Sequence, residues 1–389
     1  MEPARRIRNL TSAIFSELDD LGRELRAGGV DIINLSVGSP DLPPAPHIKQ
    51  ALAAALDEPG IYRYALTEGL PEFKQAVADW YRSRFGVDLD PEREVLSLMG
   101  SQDGLAHLYL ALVNPGDTVL VPDPGYPIYR AGAVLAEGEI FPLPLLPENS
   151  FLPDLQAIPA DVARRARVML LNYPNNPVAA TADLEFFRAV VGFAREYRIV
   201  VVHDIAYSEL AYDGYQPPSF LQAPGAKEVG VELHSVSKSY NLAGCRLGFM
   251  VGNAAVLDAL RVLKSNIDFG VFLAVQRAGI AALTGPQDTV HKAAAVYQRR
   301  RDILVRGLRE AGWEVPVPRA SMFIWAPLPP GHESSREFVG ELARHTGVLV
   351  VPGVAFGPRG EGYVRIALVG ADRRLEEAVR RIRESGLCS

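Results

Sequence analysis

The stretch HSVSKSYNLAGCRLGFMVG, residues 234–252, places Lys238 between two serines, directly after an apolar run. Arg246 follows eight residues later and opens a second apolar run, RLGFMVG. A lysine in such a position is most often a solvated loop cation. Whether Lys238 has a chemical role therefore depends on which side chains the fold brings beside it.

Short apolar runs bounded by Pro, Gly or Asp alternate with amphipathic stretches along the chain. The runs lie at residues 117–122, 166–173, 198–204, 231–236 and 246–252. The segment LEFFRAVVGFAREY, 184–197, has apolar residues on one helical face and Arg and Glu on the other. Strands that alternate with helices predict an α/β fold, with a mostly parallel sheet covered by helices on both faces.

The composition excludes several classes of protein. The chain has 389 residues and a formal net charge of −6, so nothing suggests wholesale attraction to nucleic acid or to a membrane surface. Two cysteines form neither a disulfide framework nor a metal-ligand pattern. The sequence shows no signal peptide and no apolar run of membrane-spanning length, which predicts a cytoplasmic protein.

Polar side chains follow three neighbouring runs of the predicted sheet. Asp204 ends one run, with Tyr207 three residues later, Asn176 follows another, and Lys238 follows a third. Ligands of such sheets bind at the carboxyl ends of the strands. Each residue also has an ordinary explanation: a helix cap for Asp204, a turn for Asn176, a surface aromatic for Tyr207. Their coincidence at successive strand ends favours a site.

The segment LMGSQDGLAHLYLAL, 98–112, passes from a turn into an amphipathic helix and is a candidate anion site. A helix N-terminus offers free N–H groups, and Gly100 allows close approach of a ligand. By itself this pattern is more typical of a plain helix start. Together with Ser235, Ser237 and Arg246 it predicts a phosphate site, although no nucleotide-binding glycine motif is present.

These segments resemble those of the fold-type I, class I and II aminotransferases, in the order of that family and over nearly the whole chain. The matching segments are VGSPD (37–41), YALTEGLPEFKQAV (64–77), GSQDGL (100–105), PDPGYPIY (122–129), NYPNNP (172–177), DIAYSEL (204–210), SVSKSYNLAGCRLG (235–248) and YVRIAL (363–368).

The resemblance implies pyridoxal 5′-phosphate as the cofactor and assigns residues to it. Lys238 matches the lysine that binds the cofactor covalently and then moves the substrate α-proton. Asp204 matches the aspartate that faces the pyridine nitrogen. Tyr207 and Asn176 match the pair that hydrogen-bonds the ring oxygen, and Tyr126 matches the aromatic that stacks on the ring.

The resemblance also implies a phosphate shell, a substrate clamp and a shared site. The phosphate shell corresponds to Ser101, Gln102, Ser235, Ser237 and Arg246. Arg365 matches the arginine that binds the substrate α-carboxylate, with Asn176 and the Gly38 backbone beside it. Tyr64 matches a tyrosine that reaches the phosphate of the neighbouring subunit, which implies a homodimer with shared active sites.

The chain departs from the family pattern at two places. Asn176-Pro177-Val178-Ala179 stands where relatives often have Asn-Pro-Thr-Gly, and Ser101 stands where many have Gly. The departures put the turn geometry and the details of phosphate binding in question. His203 precedes Asp204 and points to the opposite face of its strand, so we expect a packed histidine and no metal site.

The implied activity is transfer of an amino group between an amino acid and a 2-oxo acid, with 2-oxoglutarate and glutamate as the expected second pair. Segments 88–108, 114–132, 149–177 and 263–276 resemble the LL-diaminopimelate aminotransferase subgroup, which belongs to lysine biosynthesis. The alternatives are an aminotransferase for alanine, aspartate, aromatic or branched-chain amino acids, and a lyase that uses the same cofactor to break a C–S or other β bond.

The implied architecture is that of aspartate aminotransferase. We expect a large three-layer α/β/α domain, roughly residues 45–280, that holds the sheet and the cofactor. Residues 1–44 and 281–389 would form a smaller α+β domain that closes on the substrate.

Overall fold

The computed structural model describes residues 2–8, 10, 13–65 and 69–388. The strands are β1 (Ile33–Asn34), β2 (Val95–Leu98), β3 (Thr118–Asp123), β4 (Glu139–Pro144), β5 (Ala166–Asn172), β6 (Val200–Asp204), β7 (Gly230–Ser235), β8 (Gly248–Gly252), β9 (Phe323–Pro327), β10 (Val348–Leu349), β11 (Val351–Pro352) and β12 (Tyr363–Ala367).

The helices of the described residues surround these strands. They are α1 (Arg5–Arg8), α2 (Ala13–Ala27), α3 (Pro46–Ala55), α4 (Pro71–Phe85), α5 (Ser101–Leu112), α6 (Pro127–Leu135), α7 (Ala160–Arg165), α8 (Leu184–Tyr197), α9 (Ala226–Val229), α10 (Val236–Ser239), α11 (Ala254–Ile267), α12 (Leu273–Thr284), α13 (Asp288–Glu310), α14 (Ser335–Thr346) and α15 (Asp372–Ser385). None of these helices combines the length and hydrophobicity needed to cross a membrane.

The central sheet has seven strands in the order β2-β8-β7-β6-β5-β3-β4. Strands β4, β3, β5, β6 and β7 run parallel, and β8 runs antiparallel to both of its neighbours. The predicted mostly parallel sheet is confirmed, and the five predicted runs correspond to β3, β5, β6, β7 and β8. The last run starts two residues late, at Gly248, because Arg246 adopts a left-handed backbone conformation with φ of 51°.

Each face of this sheet carries its own apolar layer, which makes three layers. In β5, Val168 and Leu170 belong to the cluster that includes side chains of α5, α6 and α11. Their neighbours Met169 and Leu171 belong to the cluster that includes side chains of α4, α8 and α12. Burial on both faces explains why the strands are continuous apolar runs.

A third apolar cluster surrounds the C-terminal strands. The antiparallel sheet has the order β11-β12-β9, and β1 pairs with β10. Side chains of α13, α14 and α15 pack with these strands, and Tyr207 and Leu210 from the loop after β6 join the same cluster. The loop after β6 therefore contacts the third cluster, and the carboxyl ends of the central strands face that cluster.

Candidate active site

A cavity of about 420 Å³ lies at the carboxyl ends of β5, β6 and β7. Register places these ends side by side, since Asn172 pairs with Asp204 and Asp204 with Leu233. Every predicted site residue except Tyr64 lines the cavity. These residues are Gly38, Ser101, Gln102, Tyr126, Asn176, Asp204, Tyr207, Ser235, Ser237, Lys238, Arg246 and Arg365.

Lys238 lies in the short helix α10, directly after β7, and its amine points toward the cavity wall formed by the N-terminal segment. The Lys238 Nζ donates to the Gly38 carbonyl oxygen at 2.7 Å. Burial is the main cause that lowers the pKa of Lys238 to about 8; the charges of Arg365 and Arg246 act in the same direction, and Asp204 opposes them. Roughly a tenth of the amine is therefore neutral at pH 7, far more than for an ordinary lysine, and the neutral form is the one that acts as a nucleophile or base.

Asp204, the last residue of β6, is buried beneath the cavity. Its Oδ2 accepts a hydrogen bond from the Tyr129 hydroxyl at 2.8 Å, and its Oδ1 accepts one from the Ala206 N–H at 3.1 Å. Burial raises the pKa of the carboxyl, whereas the two hydrogen bonds and the Lys238 charge favour the ionised form. The side chain is held in one orientation, and a cationic N–H group facing it would relieve the cost of its burial.

The opposite face of β6 carries His203, which is fully buried among aromatic side chains. Its Nδ1 lies 2.7 Å from Glu232 Oε1, and its Nε2 accepts from the Tyr173 N–H at 3.2 Å. Glu232 also accepts from the Tyr81 and Ser219 hydroxyls. The prediction of a packed histidine is confirmed, and this network fixes the strand that carries Asp204.

Arg365 of β12 is buried at the far wall of the cavity, with its guanidinium between the rings of Phe323 and Phe356. It donates to Asn176 Oδ1 at 2.9 Å and to the Ser36 carbonyl oxygen at 2.7 Å. The buried Nε–H has no partner within the described residues. Burial lowers the pKa of Arg365 to about 10, so a bound carboxylate would be stabilised both by charge and by free donors.

Two tyrosines and an asparagine form the remaining walls around Asp204. Tyr207 hydrogen-bonds to the side chain of Asn176, and burial raises the pKa of its phenol well above the usual value. The Tyr126 hydroxyl donates to Gln102 Oε1 at 3.3 Å. The neutral Tyr207 phenol can donate its O–H to a ligand seated above the acid, whereas the Tyr126 O–H is already bound to Gln102.

The turn before α5 has the geometry of an anion site. Gly100 has a φ of 81°, and a side chain there would come within 2.5 Å of the Arg246 guanidinium. Gly100, the residue before α5, has no side chain that could cap the first N–H groups of the helix. Free N–H groups at the helix start and an adjacent arginine therefore face the same space, which suits a phosphate.

Two serines complete this part of the cavity. Ser235 accepts from the Ser237 N–H at 3.2 Å and so begins α10. The Ser237 hydroxyl is buried and has no partner in the part of the chain that the structure describes. A buried hydroxyl that lacks a partner is costly unless a ligand supplies one.

Tyr64 lies away from the cavity lining and is 77% exposed. Its ring packs on Phe269 with a centroid distance of 5.4 Å, and the exposed Tyr62 packs similarly on Phe272. We call these four residues the aromatic patch. Exposed apolar patches of this kind are typical of protein interfaces.

The departure from the family pattern at residues 176–179 has a structural consequence. Ala179 adopts a φ of 56°, a conformation that glycine tolerates best. The turn is held by Asn175, whose N–H donates to the Ala180 carbonyl at 2.9 Å and whose carbonyl accepts from the Ala179 N–H at 3.2 Å. Alanine therefore adopts a conformation typical of glycine here, and Asn176 still lines the cavity.

Several contributors to the cavity are not among the predicted residues. Tyr129 holds Asp204, Phe323 stacks on Arg365, and α2 supplies Phe15, Leu18 and Asp19 to the wall. Only Tyr129 leaves a signal in the sequence, because it lies three positions after Tyr126, in the first turn of the helix α6 that Tyr126 immediately precedes. The other contacts join segments that are distant in the chain.

Residues 30–382 match the family described as aminotransferase class I and II. The chain belongs to that family. It is a transaminase, and its central sheet and helices have the α/β architecture of the aminotransferases of known structure. The predicted family, fold and enzyme class are confirmed.

Relatives of this aminotransferase are similar over nearly their whole length. A protein of Moorella thermoacetica named LL-diaminopimelate aminotransferase is 54% identical over 383 residues, 98% of each chain. Substrate-bound BacF from Bacillus subtilis superposes with a TM-score of 0.95 at 38% identity, over 100% of this chain and 98% of that one. A probable N-succinyldiaminopimelate aminotransferase from Thermus thermophilus gives 0.91 at 45% identity, over 96% and 100%.

Proposed function

We propose that this aminotransferase uses pyridoxal 5′-phosphate and transfers the amino group of LL-diaminopimelate, with 2-oxoglutarate and glutamate as the second pair. The observation that carries the proposal is the convergence of Lys238, Asp204 and Arg365 on one cavity. An amine with a lowered pKa, a buried acid and a carboxylate-binding arginine are the groups that amino-acid chemistry on this cofactor needs.

The residues present fit a phosphorylated pyridine aldehyde. The phosphate would bind at the start of α5, between Arg246 and the Ser237 hydroxyl, which has no partner among the described residues, with Ser101, Gln102 and Ser235 beside it. Tyr126 would stack on the ring, Asp204 would hold its protonated nitrogen, and Tyr207 and Asn176 would hydrogen-bond its oxygen. When bound, the cofactor supplies a ring that accepts electron density from the substrate α-carbon.

The chain's own groups then carry out distinct tasks. Arg365 binds the α-carboxylate through its free N–H groups and fixes which bond of the α-carbon faces the ring. The neutral Lys238 Nζ accepts the proton from the α-carbon and later returns one. Asp204 keeps a proton on the ring nitrogen by offering a buried negative charge.

The lowered pKa of Lys238 predicts how the apoenzyme captures the cofactor. Only the neutral amine attacks an aldehyde, so the observed capture rate at fixed pyridoxal phosphate should rise with pH through a midpoint near 8, the pKa of this amine. Stopped-flow absorbance from about pH 7 to about pH 10 measures the rate over the range in which the phosphate keeps one charge state. A rate that keeps rising up to about pH 10 with no midpoint near 8, as an ordinary lysine would give, would contradict the assignment.

The wall formed by α2 supports a substrate with a second ammonium group. Asp19 lines the cavity beside Phe15 and Leu18, so its carboxylate is available to a ligand that extends toward α2. The distal end of LL-diaminopimelate carries an ammonium beside a carboxylate and is neutral overall, whereas N-succinylation removes the ammonium and adds a second carboxylate, so that the distal end carries two negative charges. A carboxylate on the wall favours the first and repels the second.

A panel of amino donors with 2-oxoglutarate tests the substrate. We expect the highest kcat/KM for LL-diaminopimelate, above N-succinyl-LL-diaminopimelate, alanine, aspartate and phenylalanine. Asp19→Asn should lower kcat/KM for LL-diaminopimelate about fivefold, the size of a partly exposed charge pair, and leave alanine unaffected. Brisk turnover of alanine without turnover of LL-diaminopimelate would eliminate this substrate, and ammonia release without an oxo-acid acceptor would indicate a lyase.

We also propose a cytoplasmic homodimer in which the aromatic patch is covered by the partner, with Tyr64 reaching the partner's phosphate site. The patch exposes Tyr62 and Tyr64 by 73% and 77%, which is unusual for rings that serve no interface. Within each subunit, residues 1–44 and 281–389 would move as a unit against residues 45–280, so that Arg365 meets the substrate as water is expelled.

Sedimentation velocity tests the dimer. Phe269→Glu places a charge in the aromatic patch and should shift the protein from dimer to monomer, with loss of most activity because Tyr64 is then withdrawn from the partner. Val317→Glu is the matched control, since Val317 is 47% exposed but lies outside the patch, and it should remain a dimer. An active wild-type monomer would overturn the proposal.

A further inference from the structure

Lys264 on α11 is a fully buried lysine that lies outside the cavity lining. Its Nζ lies 2.7 Å from Asp103 Oδ2 and 2.7 Å from Asp268 Oδ2. His107 Nδ1 lies 2.7 Å from the other oxygen of Asp103. Asp103, His107 and Asp268 have the spacing of a metal-ligand set, but the Lys264 ammonium already contacts both carboxylates, and a cation would have to displace it.

Asp103 connects this cluster to the proposed phosphate site. It is the third residue of α5, and its Oδ2 accepts from the Met99 N–H at 2.9 Å, one residue before Gly100. The Asp103 N–H in turn donates to the Gly100 carbonyl oxygen. These two bonds, one to the side chain and one from the backbone of Asp103, close the turn of residues 99–103 in a capping geometry at the start of α5. The carboxylate is therefore part of what orients the free N–H groups at the start of α5.

The same carboxylate creates an electrostatic conflict. An ionised Asp103 in the first turn competes with a phosphate for the positive end of the helix. Asp103 and Asp268 together carry two negative charges, and Lys264 reduces the sum to one. The Lys264 side chain is fully buried, and those of Asp103 and Asp268 are only 7% and 10% exposed. Water therefore screens these charges poorly, and the net charge of the cluster acts on a phosphate bound at the start of α5.

We propose that Lys264 is a positioning residue for the cofactor phosphate: it holds Asp103 in the capping geometry and offsets the charge that would otherwise repel the phosphate. The proposal rests on the proposed function, since it assumes a phosphorylated cofactor at the start of α5. It assigns a role in cofactor affinity to a side chain that touches neither cofactor nor substrate.

The experiment compares two aldehydes on the apoenzyme. Pyridoxal phosphate and pyridoxal, which lacks the phosphate, are titrated by absorbance and fluorescence against wild type, Lys264→Met, Lys264→Arg and the double variant Lys264→Met/Asp268→Asn. We expect Lys264→Met to raise the Kd of pyridoxal phosphate at least about tenfold and to leave the Kd of pyridoxal within about twofold. Lys264→Arg keeps the charge and should restore most of the affinity.

The double variant distinguishes a loss of affinity caused by the charge of the cluster from a loss caused by destabilisation of the fold. It carries the same net charge as wild type in the cluster, and the amide introduced by Asp268→Asn keeps an oxygen acceptor for the Gly270 N–H, which now donates to Asp268 Oδ1. We therefore expect its pyridoxal phosphate affinity to return toward wild type even if Lys264→Met alone is thermally destabilised. Unchanged pyridoxal phosphate affinity in Lys264→Met, or equal loss for both aldehydes in both Met variants, would overturn the proposal. Failure of wild type to bind pyridoxal phosphate would instead overturn the proposed function.

Discussion

Lys238→Ala should abolish transamination, by about 10⁴-fold or more, because it removes both the nucleophile and the base from one position. The variant should still bind pyridoxal phosphate noncovalently, through the shell around Arg246, but without the spectral change that covalent attachment produces. Steady-state kinetics and absorbance titration measure the two effects. Lys292→Ala, which removes an exposed lysine paired with Asp288, is the matched control and should be fully active.

The same substitution should not destabilise the fold. A pKa lowered from 10.5 to about 8 means that the unfolded chain binds this proton more tightly than the folded one, so at neutral pH the lysine costs up to about 3 kcal/mol of stability. This cost fades as the pH rises from about 8 to 10.5. Replacing the lysine removes this cost and so raises stability. The lost hydrogen bond to Gly38 offsets about 1 kcal/mol of that increase. We expect an apoprotein melting temperature equal to wild type or higher at neutral pH, and a collapsed fold would instead favour a structural role for Lys238.

Arg365→Leu should lower kcat/KM for every amino donor about 10³-fold, the size expected when a buried charge-assisted pair with a carboxylate is lost. The cofactor Kd should change by less than about threefold, since the hydrogen bonds of Arg365 go to Asn176 and Ser36, outside the phosphate shell. Arg365→Lys keeps a charge but loses the planar fork and its stacking on Phe323 and Phe356, so it should recover only part of the activity.

An amino-acid amide provides the specific control for this arginine. Wild type should strongly prefer the free acid to its amide, because the amide cannot form the charged fork, and Arg365→Leu should lose that preference. Equal loss of rate for acid and amide would mean that the substitution acted through packing against Phe323. A kcat/KM within about tenfold of wild type would remove Arg365 from the substrate site.

The parts of the site that follow strand ends could be predicted from the sequence. Asp204, Asn176 and Lys238 each follow a continuous apolar run, and parallel strands bring their carboxyl ends to one edge. The alternation of side chains along a strand was sufficient to predict that His203 lies on the opposite face of β6 from Asp204. Family resemblance was needed for Arg365, which has no such local signal.

The parts that depend on long-range packing could not be predicted from the residues alone. Arg365 is 189 residues from Asn176 and 329 residues from Ser36, its two acceptors. Lys264 is 161 residues from Asp103, and nothing in the local pattern of α11 distinguishes it from a surface lysine. Such contacts are set by how helices and sheets pack, which a periodic pattern does not specify.

The most direct test of the central claim is to locate the covalent bond between chain and cofactor. Holoenzyme reduced with borohydride, digested and analysed by mass spectrometry should carry a phosphopyridoxyl group on Lys238 and on no other lysine. The same treatment of Lys238→Ala should give no labelled peptide. A label on Lys264 or on a surface lysine, or a wild-type protein without any label, would contradict the account.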